Sequence, residues 1–169
     1  MQIELLVLRL IHVVGGIIWV GSTFFSFYFL LPAVKEAGPT GGQIMVSLQK
    51  RHMFTILPVV AILTMLSGIR LLQIVSGGFN PSYFATPMGR TYTISALFAI
   101  AGFVIGVTVA RPGAAKIAKL QQSTASDKIS REMIQAEVQK LQARVAMAGK
   151  LVLLLLVLAA AGMSIARYS

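Results

Sequence analysis

The stretch LLVLRLIHVVGGIIWVGSTFFSFYFLL, residues 5–31, carries one arginine, Arg9, and one histidine, His12, in an otherwise apolar run that ends against Pro32. An α-helix needs ~20 apolar residues to cross the ~30 Å hydrocarbon layer of a bilayer, and this run is long enough. Its start, Met1-Gln2-Ile3-Glu4, has no basic segment, and the run is about twice the length of a signal h-region. It is therefore expected to stay in the membrane, with Pro32 as its stop. Along it, Arg9, His12, Gly16, Trp19, Thr23 and Ser26 recur at spacings of three or four, which places them on one stripe of a helix. Ionisable groups inside a span are costly in lipid, so the stripe should face protein or a polar cavity.

Three further apolar runs follow, at about 53–75, 91–110 and 151–166. Lipid leaves each backbone group to be satisfied within its own segment, which selects helices over strands. The expected fold is all-α, a four-helix integral membrane bundle forming one domain over residues 1–169. Composition agrees. The chain is 56% hydrophobic and 12% charged, against roughly 25% charged for soluble domains, which excludes a soluble enzyme. There is no cysteine, and the two histidines and five acids cannot build a multi-carboxylate or His-rich hydrolytic site. The missing thiols also exclude disulfides, iron–sulfur clusters and covalently attached haem.

The net charge of +10 suggests nucleic acid until the positions are read. Of fifteen basic residues, all but Arg9, Arg70, Arg90 and Arg167 fall in the connections 33–52 and 111–150. By the positive-inside rule these connections are cytoplasmic and both termini face outward. Orientation accounts for the charge, so no nucleic-acid partner is expected; the partners are the bilayer, including its anionic lipid, and other membrane subunits or further copies of the chain. The expected location is a bacterial inner membrane.

Within 111–150, Arg111-Pro112-Gly113 reads as a break where the third helix leaves the bilayer. Residues 121–127 read as a turn and N-cap. Met133, Ile134, Val138, Leu141, Val145 and Ala148 then form an apolar stripe. Together they predict a cytoplasmic helical hairpin between the third and fourth spans. The opposite connection, 76–89, is rich in Gly, Pro and aromatic residues and reads as an interfacial loop.

His12 is either a hydrogen-bonded core histidine or a ligand or proton-handling group. Measured from the span centres at 1.5 Å per residue, His12 and His52 are offset by ~27 Å in depth, too far to clasp one macrocycle. His52, in Lys50-Arg51-His52, reads as a headgroup anchor. Met65 and Met163 fall near the depth of His12, and either thioether could complete a His/Met pair, a set that suits haem iron or copper(I). Arg9, Arg70 and Arg90 lie at the outer end, where guanidinium groups could hold haem propionates bidentately.

Leu8-Arg9-Leu10-Ile11-His12-Val13-Val14, then Trp19-Val20-Gly21 and Leu30-Leu31-Pro32, resembles the first helix of the CopD-like superfamily of small membrane proteins, which includes HemJ-type protoporphyrinogen oxidases. Arg51 ahead of a helix with a Ser67-Gly68 pair, and the closing Met163-Ser164-Ile165-Ala166-Arg167-Tyr168, are similar to that group as well. The resemblance implies a four-helix fold that binds haem b through His12, with Trp19 beside it, or one associated with copper handling. HemJ-type proteins carry a lysine early in the third helix; here no lysine lies between Lys50 and Lys116, which argues against the oxidase activity. Three functions follow as expectations: a haem b redox or electron-transfer protein, a copper-handling protein using His12 with Met65 or Met163, and a cofactor-free accessory subunit docked through the hairpin.

Overall fold

A computed structural model describes residues 2–37, 39–122 and 128–169. The described chain is helical throughout, with no strand among the described residues. In order, α1 is Gln2–Phe25, α2 Leu31–Glu36, α3 Pro39–Lys50, α4 Met53–Val75, α5 Pro81–Ala85, α6 Pro87–Ile105, α7 Arg111–Gln122 and α8 Lys128–Ile165. Among the described residues four helical stretches are long and apolar enough to cross a membrane: Gln2–Glu36, Met53–Val75, Pro87–Leu120 and Glu132–Tyr168. Ile3, Leu6, Leu10 and Ile17 form an exposed apolar stripe down α1, a surface that suits lipid tails rather than water.

Two of the expected boundaries are corrected. Pro32 does not stop the first helix, and Arg111-Pro112-Gly113 does not break the third. Each proline is instead preceded by a short π-helical segment, Ser26–Leu30 before Pro32 and Gly106–Ala110 before Pro112. Proline lacks an N–H and its ring crowds the carbonyl one turn back. The wider π turn makes room, with the Leu31 N–H reaching back to the Ser26 carbonyl and the Arg111 N–H to that of Gly106. The helix therefore continues through both prolines.

The connections hold more structure than their composition suggested. The 33–52 segment contains the twelve-residue helix α3. In the 76–89 connection the Asn80 side chain accepts from the Ser82 N–H and that of Thr86 from the Gly89 N–H, starting α5 and α6. Each cap is followed by proline at the first helical position, so α6 begins at Pro87 rather than near 91.

The long helices pair as two antiparallel hairpins, α1 with α4 and α6 with α8, joined by sparser contacts of α1 with α8 and α4 with α6. Their common core is Trp19, Ala61, Val152 and Leu156, with Val60, Met65, Phe103 and Ile105 packed around it. The Trp19 and Phe103 rings meet edge to face at 6.1 Å between centroids. Beyond the apolar spans, α7 packs on the first turns of α8, with Ile134, Val138, Leu141, Val145 and Ala148 facing inward. Lys116 forms an ion pair with Glu137 across this hairpin. Met133, expected on the packing stripe, is 69% exposed. Of the expected turn and cap at 121–127, Gln121 and Gln122 instead end α7 and 123–127 lie outside the described residues.

Candidate functional site

The site is built where α1 crosses α4. Gly15 and Gly16 strip side chains from one face of α1, and Thr64 of α4 fills the space. A Cβ at Gly15 would lie 2.3 Å from the Thr64 Oγ1. The Thr64 hydroxyl is held in its own helix, donating to the Val60 carbonyl at 2.8 Å. This contact sets the separation of the two helices one turn from His12.

His12 Nδ1 lies 2.8 Å from the Thr64 carbonyl oxygen. A carbonyl only accepts, so Nδ1 carries the proton and donates. In the neutral ring Nε2 then keeps its lone pair. Nε2 makes no hydrogen bond. Among the described residues, the one buried side-chain polar atom without a partner is the Tyr83 hydroxyl, so Nε2 of the half-buried His12 is not fully enclosed. Beside the ring stands Gly68, where a Cβ would fall 2.6 Å from His12 Cε1 and 2.9 Å from Nδ1. Ser67, buried next to it, donates to the Leu63 carbonyl at 2.7 Å and approaches the Thr64 carbonyl at 2.9 Å. Thr64, Ser67 and Gly68 thus form a polar notch in an apolar helix.

From His12 onward the expected stripe does turn inward. His12, Gly16, Thr23 and Ser26 are half-buried and Trp19 is buried, whereas Arg9 is exposed. Trp19 is a core residue by its contacts. Met65 packs against the same core. Met163 is half-buried on α8 next to Gly162, which abuts Ser95 of α6.

The arginines divide. Arg70 is engaged with Glu4, its Nη2 at 2.6 Å and Nε at 2.9 Å from one carboxylate oxygen, while Nη1 donates to Gln73 Oε1 at 2.9 Å. Arg9 and Arg90 are exposed at the same end of the bundle. The register sets His12 between the levels of Thr64 and Gly68, so His52, at the N-cap of α4 with φ 57°, lies about 20 Å away along the axis. That is less than the expected offset, and still too far for one macrocycle.

Sequence reasoning did not assign Thr64 as the partner of Gly15 or of His12, because the register that brings them together is a tertiary fact. Nor did it single out Tyr83, whose hydroxyl is buried in the 76–89 connection and whose pKa is raised by burial and then by Tyr92. Among the described residues no three His, Asp or Glu side chains gather into a metal-binding group. No protein-family model matches the chain, and neither a curated protein nor a solved structure does.

Proposed function

We propose that this is an integral membrane protein that binds haem b through Nε2 of His12 and serves in electron transfer. One observation carries the reading: the His12 Nδ1 proton is committed to a backbone carbonyl while Nε2 makes no hydrogen bond, so Nε2 would be the atom that holds the haem iron. The chain's donors fit such a group. One imidazole nitrogen makes no hydrogen bond, and Arg9 and Arg90 stand exposed at the same end for propionates. Arg70, held by Glu4, would act through that pair. Bound iron supplies one-electron ferric–ferrous exchange. The resemblance of the first helix to CopD-like proteins supports the same assignment. Copper is the second ligand class, with His12 and Met65 or Met163 as its donors.

The basic residues of α7 and the start of α8 are read as cytoplasmic, both termini as non-cytoplasmic, and the membrane as a bacterial inner membrane. A cofactor-free accessory subunit is the competing reading. It is favoured by Met133 and Met147, 69% and 73% exposed on α8, and its partners would be other membrane subunits or a second copy.

A reduced-minus-oxidised spectrum of detergent-purified protein decides between them. Haem b bands are expected, lost in His12→Ala and largely retained in His52→Ala. Equal loss in both variants would overturn the single-site assignment, and a pigment-free wild type would favour the accessory subunit.

A further inference from the structure

We infer that Gly68 is the positioning residue that selects which nitrogen of His12 is offered to a ligand. The inference rests on the haem reading for its consequence, but its geometry stands on the apoprotein alone. A histidine can present either ring nitrogen, and the one it presents is set by the bond the other makes. Here the imidazole lies in a notch of α4 whose floor is Gly68. Three of its atoms surround the place a Cβ would occupy, Cε1 at 2.6 Å, Nδ1 at 2.9 Å and Nε2 at 3.6 Å. Only a residue without a side chain lets the ring settle deeply enough for Nδ1 to reach the Thr64 carbonyl at 2.8 Å.

The helices cannot separate to relieve a methyl group there without breaking a second contact. Gly15, on the next turn of α1, is already against Thr64, and Thr64 is tied to Val60. The ring itself has few places to go, since side chains on a helix are confined to two common χ1 wells. With alanine at position 68 the imidazole must leave the notch. Nδ1 then loses its carbonyl, and the preference for the Nδ1–H tautomer disappears.

The experiment is ¹⁵N NMR of histidine-labelled protein in detergent micelles above the pH at which imidazole is neutral. The chain has only two histidines, and His52→Gln assigns the pair. Wild-type His12 should show a protonated Nδ1 and an unprotonated Nε2, and Gly68→Ala should lose that signature. Gly21→Ala serves as the control, because nothing lies within 4 Å of a Cβ there; it should keep the wild-type pattern. In parallel, haem affinity should fall about tenfold or more in Gly68→Ala, the usual cost of losing the group that orients an axial histidine, and hold in Gly21→Ala. A wild-type His12 protonated at Nε2 would overturn the inference, and that measurement needs no variant to fold. So would an unchanged tautomer in folded Gly68→Ala, even if haem binds at His12. A Gly68-dependent tautomer in a protein that takes up no haem would instead sustain the positioning role and sink the haem reading.

Discussion

At the level of single residues, the sequence singles out His12 by cost: an ionisable group inside an apolar span needs a partner. It does not say which partner, because Thr64 and Gly68 are ordinary small residues until the antiparallel register of α1 and α4 sets them against the ring. The arginines show the same division. Four arginines at one end is a pattern visible in the chain, but that Arg70 is engaged by Glu4 while Arg9 is exposed is not. Arg9→Leu should therefore lower haem retention several-fold without altering the spectrum of the haem that remains, since the axial ligand is untouched. Arg9→Lys should recover only part, because an ammonium cannot form the bidentate fork; full recovery would show that a point charge suffices. Tyr83 gives a prediction that needs no cofactor. Its folded pKa is raised above the ordinary 10.0 because burial disfavours the phenolate, so its titration leaves stability untouched below that value and lowers it as pH rises through the folded pKa. Melting temperature should fall above about pH 10, and Tyr83→Phe should flatten that fall. The same variant should be at least as stable as wild type at neutral pH, because it removes a buried hydroxyl that lacks a partner. A wild-type-like alkaline fall in Tyr83→Phe would assign the titration elsewhere.

At the level of elements, apolar length located all four helices that are long enough to cross a membrane, since such a crossing requires a run of ~20 apolar residues. The ends were misread where proline was taken as punctuation. Pro32 and Pro112 are carried through by π segments, whereas Pro81 and Pro87 do punctuate, each at the first position of a helix capped by the residue before it. The distinction was legible: Asn80-Pro81 and Thr86-Pro87 pair a capping side chain with proline, and Leu31-Pro32 and Arg111-Pro112 do not. The first π segment also has a packing role, with Phe27 seated over Gly149 of α8. A Cβ at Gly149 would lie 1.8 Å from Phe27 Cε1. Gly149→Ala should destabilise the protein by on the order of 1–3 kcal/mol through overpacking. Most of that cost should vanish in a Phe27→Ala background, a coupling that thermal unfolding of the four forms in a double-mutant cycle would measure. Additive effects would mean that Phe27 leaves the notch without loss and that the π segment is not anchored there.

At the level of the whole molecule, the two π segments stand eighty residues apart, and each ends two residues before its proline. Each follows the first helix of an antiparallel pair, α1 before α4 and α6 before α8. The molecule is thus two helical hairpins pointing the same way, and the second is extended beyond its apolar span by α7 and the first turns of α8. This arrangement ties sidedness together: whatever side holds Lys35, Lys50 and Arg51 also holds the α7–α8 hairpin. The two basic connections are therefore one observation about orientation, and a single pair of probes tests both. Because the chain contains no cysteine, one can be placed at Ser82 in α5 and another at Gln135 in α8, both exposed. If the basic side is cytoplasmic, an impermeant maleimide should label Ser82→Cys in intact cells and reach Gln135→Cys only after the membrane is opened. The reverse pattern would invert the protein and put the His12 end on the cytoplasmic side, so that electrons would have to be exchanged with a cytoplasmic partner. Labelling of both in intact cells would mean that the α6–α7 helix does not span the bilayer at all, despite its length.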